Sequence, residues 1–395
     1  MFDKRLLKNF DWPLLAITLL LCLIGILTIY STAKTLDTPY HLKQLASLGL
    51  GLVVCVIVFS IDYHKWSRWA PFLYLGSLLL LFFLFFFSPP ALGVRRWLSI
   101  GPLTFQPSEI SKVATFLLLA RYLSPVRGNP SLSGSDASRR SIGRTSNGIN
   151  RKEKADILIP LAIVALPLFL IASQPDLGTA LLFLPLGLVL VYLAGTRTKH
   201  LFLLIGFFLL ASPLGWFFLH GYQKRRILSF LNPTRDPLGA GYNIIQSKIA
   251  IGSGRLLGKG FLNSTQSNFL PGHHTDFIFS SFAEEWGLLG SLFLILLYLF
   301  IIIRAIEISL HAKDRLGSLL AAGIATILAS QVIINIAMAT GILPATGLPL
   351  PFLSYGGSHL VMSLVSIGFL LNIRMRRFMF KNSYRLQATG YRFEA

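Results

Sequence analysis

Apolar residues occur along this chain in ten long runs, which are separated by shorter stretches rich in polar residues and glycine. Each run approaches the ~20 residues that an α-helix needs to cross the hydrocarbon of a bilayer. The pattern therefore predicts an all-α polytopic membrane protein, a single integral membrane domain over 1–395 with about ten transmembrane helices. The predicted spans are 12–31, 43–60, 70–88, 108–123, 156–173, 177–194, 199–219, 278–303, 316–340 and 352–373.

The composition argues against a soluble fold. Hydrophobic residues make up 53% of the 395 residues and charged residues only 13%, whereas soluble domains carry roughly 25% charged residues. Cys22 and Cys55 both lie inside apolar runs. We expect them to act as small hydrophobic side chains and not as a disulfide or a metal site.

The basic residues indicate the orientation in the membrane. The net charge of +20 is concentrated at the N-terminus, in the loop around 121–155 and in the C-terminal tail, which ten spans place on one side. The positive-inside rule makes that side cytoplasmic, so both termini are predicted to be cytoplasmic. Basic residues there contact anionic membrane lipids. No nucleic-acid partner is expected, because interleaved aromatic residues and a binding fold are both missing from the pattern.

Three hydrophilic segments are long enough to be considered separately. Residues 124–155, rich in Ser, Gly, Asn and Arg, are predicted to form a flexible cytoplasmic loop, and 375–395 a basic cytoplasmic tail. Residues 220–277 are predicted to form a large extracytoplasmic loop between helices 7 and 8, with amphipathic helices on the membrane surface. An anionic ligand is one explanation for its seven basic residues, which are Lys224, Arg225, Arg226, Arg235, Lys248, Arg255 and Lys259.

Asp276 stands at the head of the eighth predicted span, in FLPGHHTDFIFSSFAEEWG. One interpretation is structural, in which Thr275 or Asp276 caps the helix by accepting from its first free N–H groups. The other is functional, because an ionisable group at the membrane edge is expensive and can serve as a general base or a cation ligand. Asp276→Asn separates the two, since Asn caps a helix but cannot act as a base.

A pair of charged residues, Glu109 and Lys112, lies in GVRRWLSIGPLTFQPSEISK, residues 93–112. Pro107-Ser108 is a typical helix start, which places Glu109 and Lys112 three residues apart on one helix face. Either the two residues form an ion pair that lets both enter the membrane edge, or Lys112 and Arg96 bind a phosphate while Glu109 orients the lysine.

Other motifs have ordinary explanations. Asp176 in QPDLGTA is predicted to cap a helix. The glycine-rich AIGSGRLLGKG, residues 250–260, fits neither phosphate-loop spacing. His273 and His274 have no third histidine nearby for zinc. The residues alone therefore indicate an outward-facing site for an anionic membrane ligand, and leave enzyme and transporter both open.

Several motifs in order resemble the SEDS family (shape, elongation, division, sporulation), and the resemblance spans nearly the whole chain. The stretch 226–254 is similar to the elongation branch. The matching residues are Gly93, Arg96, Trp97, Gly101, 106–109 and Lys112, then 274–279, 283–285 and Gly287, and finally the TG–LP–P–SYGG residues within 346–357.

The resemblance implies a peptidoglycan glycosyltransferase of the bacterial cytoplasmic (inner) membrane. Such proteins polymerise lipid II on the outer face during elongation and rod-shape maintenance, with a class B penicillin-binding protein and other elongation-complex proteins. The family's essential aspartate falls on Asp276, the expected base. Arg96, Lys112, Arg226 and Lys248 are expected to stabilise the leaving diphosphate. The family also implies a divalent cation, Mg²⁺ or Mn²⁺, with Asp276 as a ligand.

The chain departs from the family pattern at three positions, where Gly272 replaces Glu, Arg255 replaces Gly and His359 replaces Ser. Two other functions compete with the polymerase, a flippase for lipid-linked precursors and a non-catalytic scaffold for a penicillin-binding protein. A flippase needs charges along the bilayer depth, whereas the middles of the spans here are almost free of them.

Overall fold

The structure is a computed structural model that describes residues 9–32, 38–87, 97–100, 103–124, 151–174, 176–196, 221–237, 241–266 and 269–377, with isolated positions between them. Several predictions fall outside these residues. They are Arg96, most of the span 199–219, most of the loop 124–155, and the tail beyond Arg377.

The described part of the chain is helical apart from one short hairpin. The helices are α1 (Trp12–Thr32), α2 (Tyr40–Ser60), α3 (Tyr63–Phe87), α4 (Pro107–Leu123), α5 (Arg151–Ser173), α6 (Leu177–Leu181), α7 (Phe183–Leu193), α8 (Gly221–Leu231), α9 (Tyr242–Ser253), α10 (Ile278–Leu310), α11 (Arg315–Ala339) and α12 (Gly357–Arg376). The hairpin pairs β1 (Leu98–Ile100) with β2 (Leu103–Phe105) in antiparallel register, which the apolar pattern did not predict.

Among the described residues, six helices are long and apolar enough to cross a membrane: α1, α2, α3, α10, α11 and α12. This confirms a helical membrane protein, while ten spans remain a prediction. The last predicted span, 352–373, starts five residues too early. Phe352 has φ 66°, so the chain turns there and α12 begins only at Gly357.

The core lies between α4, α10, α11 and α12. In α12, 83% of the apolar window is buried, against 22% in α2, so α12 is central and α2 is peripheral. Within the predicted extracytoplasmic loop, α9 does not simply lie on a surface. Its Ser247 hydroxyl lies 2.6 Å from the Ser280 hydroxyl of α10 and donates to the Ala339 carbonyl of α11 at 2.5 Å.

Helix α10 is broken at Gly287, which has φ 65° and ψ −162°. The preceding loop supplies the missing backbone partners. Lys259 N–H donates to the Glu284 carbonyl and Gly260 N–H to the Glu285 carbonyl, both at 3.0 Å. On the far side of the break, Leu288 and Leu289 N–H groups donate to the carbonyls of Arg255 and Leu256, at 2.9 and 3.2 Å. A broken helix at membrane depth requires such compensation.

This contact explains the glycine-rich motif. Gly258 has φ 84°, and a Cβ there would overlap the carbonyl oxygen of Glu285. A Cβ on Gly287 would overlap the Gly258 nitrogen. Gly254 and Gly258 therefore allow two backbones to touch, and we call residues 254–260 the clip loop.

Two ion pairs lie at the end of the bundle opposite the clip loop, where we expect the second membrane edge. Arg304 of α10 pairs with Asp11, just before α1, at 2.8 Å. Arg376 of α12 pairs with Asp62 at 3.5 Å. The predicted topology makes this end cytoplasmic.

Candidate functional site

The segment 273–276 that carries Asp276 is a turn and not part of α10. Helix α10 begins at Ile278, its N-cap position is Phe277, and no side chain caps it. Thr275 instead donates its hydroxyl to the Gly272 carbonyl at 3.3 Å. The N-cap position is therefore one residue after Asp276, and the cap and the functional interpretations of the Asp276 side chain both stay predictions.

Three consecutive backbone carbonyls hold this turn in place. The Tyr355 N–H donates to His274 O at 2.9 Å, and the Ser354 hydroxyl donates to Thr275 O at 2.7 Å. The Asn335 amide donates to Asp276 O at 2.8 Å. Because each bond comes from a different position on α11 or the segment before α12, the backbone of Asp276 is fixed before any substrate arrives.

Aromatic rings flank the turn. Tyr40 stacks on His274 with ring centroids 4.8 Å apart and meets Tyr355 edge-on, also at 4.8 Å. Burial lowers the pKa of His274 to about 4, and the neighbouring His273 adds to the effect. His274 is therefore neutral near pH 7 and contributes packing rather than positive charge beside Asp276.

Two of the predicted basic residues lie against the loop that follows α11. Arg226, exposed on α8, donates to the Ala345 carbonyl at 3.2 Å. Ala345 packs in a small cluster with Phe277, the residue after Asp276. Lys248, exposed on α9, lies directly over Gly341. The structure thus brings Arg226 and Lys248 to the same loop region as the Asp276 turn.

Glu109 and Lys112 form the predicted ion pair, with 2.9 Å between Nζ and Oε1, and both side chains are buried. His359 is a third member, since its Nδ1 lies 3.2 Å from Glu109 Oε2. A carboxylate only accepts, so Nδ1 carries the proton. A cavity of about 20 Å³, lined in part by Glu109, Lys112 and Gln331, adjoins the group. Its size suits one water molecule.

The residues 354–359 join these two groups. Ser354 and Tyr355 bind the Asp276 turn, while the Ser358 hydroxyl accepts from the Gln106 N–H at 3.3 Å and His359 contacts Glu109. The SYGG motif and the QPSE motif are therefore parts of one arrangement.

Other acids serve the architecture. Asp176 caps α6, as predicted, by accepting from the Thr179 N–H at 3.3 Å. Glu284 is fully buried and accepts from Lys259 Nζ at 2.5 Å and from the Thr265 N–H at 2.9 Å. Glu285 accepts from the Ser31 hydroxyl. These contacts secure the break in α10.

A protein-only cation cage is absent from the described residues, among which no group of three or more His, Cys, Asp or Glu residues converges. A single carboxylate still fits Mg²⁺ or Mn²⁺, because such ions are often held by one or two carboxylates and substrate phosphates.

Sequence reasoning missed two important residues. Asn335 is one of two side-chain amides, with Gln331, in the apolar run QVIINIAMA, and the rarity of polar side chains in such a run was the available signal. His359 was noticed only as a departure from the family pattern. Its contact with Glu109 joins residues 250 positions apart in the chain and had no local signature.

Comparisons with known proteins agree with the fold and the motifs. The chain is 39% identical to "Peptidoglycan glycosyltransferase MrdB" of Escherichia coli (strain K12), over 95% of this chain and 96% of that protein. It is 37% identical to "Stage V sporulation protein E" of Bacillus subtilis (strain 168), over 92% and 96% of the two chains.

Solved structures are similar over nearly the whole length. A chain from "Structural coordination of polymerization and crosslinking by a peptidoglycan synthase complex" has a TM-score of 0.76 and 31% identity, covering 94% of this chain and 99% of that one. The Thermus thermophilus Rod shape determining protein RodA has a TM-score of 0.67 and 29% identity, covering 94% and 98%. The family model for the cell cycle proteins FtsW, RodA and SpoVE matches residues 11–378, and the chain belongs to that family.

Proposed function

We propose that this protein is a peptidoglycan glycosyltransferase that polymerises lipid II on the outer face of the bacterial inner membrane during cell elongation. The observation that carries the proposal is the Asp276 turn. Its backbone is held by Asn335, Ser354 and Tyr355 at the end of the bundle opposite the Arg304–Asp11 pair. A carboxylate on a backbone held at that level suits a substrate whose lipid tail is in the membrane and whose sugars are outside it.

In this mechanism Asp276 accepts the proton of the acceptor's GlcNAc 4-hydroxyl. The oxygen forms a bond to the donor's anomeric carbon while the bond to the diphosphate breaks, and undecaprenyl diphosphate leaves with the electron pair. Arg226 and Lys248 are exposed in the same region and are positioned to attract that diphosphate. Arg96 has the same proposed role.

Lys112 contributes differently from the exposed basic residues. It is buried and already paired with Glu109, so an approaching phosphate must compete with the carboxylate for its ammonium group. His359 also contacts Glu109. We propose that Glu109 orients Lys112 toward the substrate.

A divalent cation, Mg²⁺ or Mn²⁺, held by Asp276 together with substrate phosphates, would neutralise charge on the departing diphosphate. Asp276 would then be a cation ligand as well as, or in place of, the base. The proposed partners are a class B penicillin-binding protein and other elongation-complex proteins. The similarity to a chain of a peptidoglycan synthase complex supports this association.

The test uses the purified protein with its cognate penicillin-binding protein, whose cross-linking is blocked by a β-lactam. Fluorescent lipid II is added with Mg²⁺ or Mn²⁺, and the products are separated on a gel. We expect a glycan ladder from the natural protein and none from Asp276→Asn, with both samples shown to be folded by thermal unfolding.

Other outcomes would contradict the proposal. Equal ladders from both proteins would remove Asp276 from catalysis. No ladder from either protein, with active partner and substrate verified, would favour a flippase or a non-catalytic scaffold for the penicillin-binding protein.

A further inference from the structure

The clip loop and the two residues after it carry exposed apolar side chains. Leu256 and Leu257 are 55% and 75% exposed, and Phe261 and Leu262 are each 38% exposed. Single exposed apolar residues are common in water, but four within seven residues form a patch that indicates a contact.

Hydrogen bonds to α10 fix the depth of this patch. The Arg255 and Leu256 carbonyls accept from Leu288 and Leu289. Leu288 and Arg304 are separated by ~24 Å of helix at ~1.5 Å per residue. If the Arg304–Asp11 ion pair lies at the opposite edge of a hydrocarbon layer ~30 Å thick, Leu256 is expected inside the outer edge of that layer rather than above it.

The patch also continues the exposed apolar surface of α10. Trp286, Leu288 and Leu289 are 46%, 52% and 51% exposed on a helix apolar enough to span the membrane. Leu256, hydrogen-bonded to Leu289, extends that surface directly.

Four backbone N–H groups of the loop are paired within the protein. The N–H groups of Arg255, Gly258, Lys259 and Gly260 all donate to carbonyls of α9, the loop itself or α10. Irregular backbone tolerates membrane depth only when its polar groups are paired within the protein.

We propose that residues 255–262 form a membrane-inserted loop whose side chains Leu256, Leu257, Phe261 and Leu262 contact the acyl chains of the outer leaflet. Arg255 is exposed at its base and extends to the lipid phosphates, since long basic side chains reach the interface from within the hydrocarbon edge. The occupant of this surface is bilayer lipid and not another protein. The insertion anchors the break in α10, and with it the level of the Asp276 turn.

The test places one fluorescent label at a time on the full-length protein. Cys22 and Cys55 are first replaced by alanine, and NBD is then attached to Leu257→Cys. Leu292→Cys, on the exposed face of α10, is the matched lipid control, and Arg225→Cys, exposed on α8, is the aqueous control. Each labelled protein is reconstituted in phosphatidylcholine–phosphatidylglycerol vesicles.

Quenching by doxyl groups on the acyl chains is compared with quenching by aqueous iodide. We expect the Leu257 label to emit at short wavelength and to lose emission to doxyl lipid, as the Leu292 label does, while iodide quenches only the Arg225 label. Iodide quenching at Leu257 would overturn the proposal by placing the loop in water. Protection from both quenchers would overturn it by showing a protein cover. None of these readouts depends on glycan synthesis.

Discussion

The side-chain amide of Asn335 donates to the backbone carbonyl of Asp276 at 2.8 Å and to that of Leu348 at 2.6 Å. One buried side chain near the C-terminal end of α11 therefore ties the candidate catalytic turn to the loop after α11. Both bonds go to the backbone, so Asn335 sets where Asp276 lies without contacting its carboxylate.

Asn335→Leu is expected to slow glycan synthesis strongly, because small misplacement of a reacting group costs on the order of 10²-fold in rate. The unpaired carbonyls should also lower the free energy of unfolding by about 1–3 kcal/mol. The measurement is the lipid II gel assay together with thermal unfolding. Thr326→Val, which loses only a bond to its own helix at Ala322, is the control. Full activity in Asn335→Leu would contradict the positioning role.

Lys112→Met is expected to destabilise the protein by about 3–5 kcal/mol, because among the described residues it leaves the buried Glu109 carboxylate with His359 as its remaining ionic contact. Combining it with Glu109→Gln removes the buried charge, so the double variant should be more stable than Lys112→Met alone. Denaturant unfolding of the two variants measures this. If the double variant is the less stable one, the ion pair is not what makes the single change costly.

Gly258→Ala is expected to destabilise the clip loop by about 1–3 kcal/mol, because the site has φ 84° and a Cβ would strike Glu285 O. Gly252→Ala is the matched control, since a Cβ there meets nothing within 4 Å. Inside helix α9 the control should gain about 0.5–1 kcal/mol. Thermal unfolding in detergent compares the two. Equal effects would mean that the close backbone approach is unimportant.

The charged cluster of Asp62, His64 and Arg376 at the predicted cytoplasmic end should make the stability of the fold depend on pH. Burial raises the pKa of Asp62, but hydrogen bonds from His64 and the charge of Arg376 outweigh this and leave the pKa below its ordinary value. A lowered carboxylate pKa stabilises the fold above about pH 4 and loses this effect as pH falls through the folded pKa. The melting temperature of Asp62→Asn should therefore fall less between pH 5 and pH 3 than that of the natural protein. An equal fall in melting temperature in the two proteins would exclude Asp62 as a source of the pH dependence.

Glycan synthesis is expected to stop in excess EDTA and to return with added Mg²⁺ or Mn²⁺, if Asp276 binds a cation between its carboxylate and the diphosphate. Lipid II binding by the protein, followed with the labelled substrate, checks that the chelator has not unfolded the sample. An undiminished ladder in EDTA would leave Asp276 as a base without a cation.

Much of the fold follows from local sequence because membrane helices are long, apolar and nearly continuous. Helices α1 and α11 lie within one residue of their predicted limits for this reason, while α10 starts where predicted and continues seven residues beyond the predicted end, to Leu310. The start of α12 was misplaced because the predicted span ran across Gly356 and Gly357, whereas the backbone turns at Phe352 and the helix begins only at Gly357. The hairpin β1–β2 has strands of only three residues, too short to give a periodic signal.

The candidate site was also predictable from the sequence only in part. The Glu109–Lys112 pair was predictable because the two residues are three apart on one helix. The contacts of Asn335 with Asp276 and of His359 with Glu109 cross between distant helices, so no spacing rule reveals them. The glycine-rich motif was visible in the sequence, but its reason, the backbone contact with Gly287, required the structure.

The broken helix has a consequence for how the chain assembles in the membrane. The groups that complete α10 at Glu284, Glu285, Leu288 and Leu289 belong to residues 255–260, which leave the ribosome first. The partner backbone is therefore already present when α10 enters the bilayer, and the exposed peptide groups at Gly287 need not wait for a later part of the chain. A chain in which residues 255–260 followed α10 would have to hold those groups open in lipid during synthesis, which the observed order avoids.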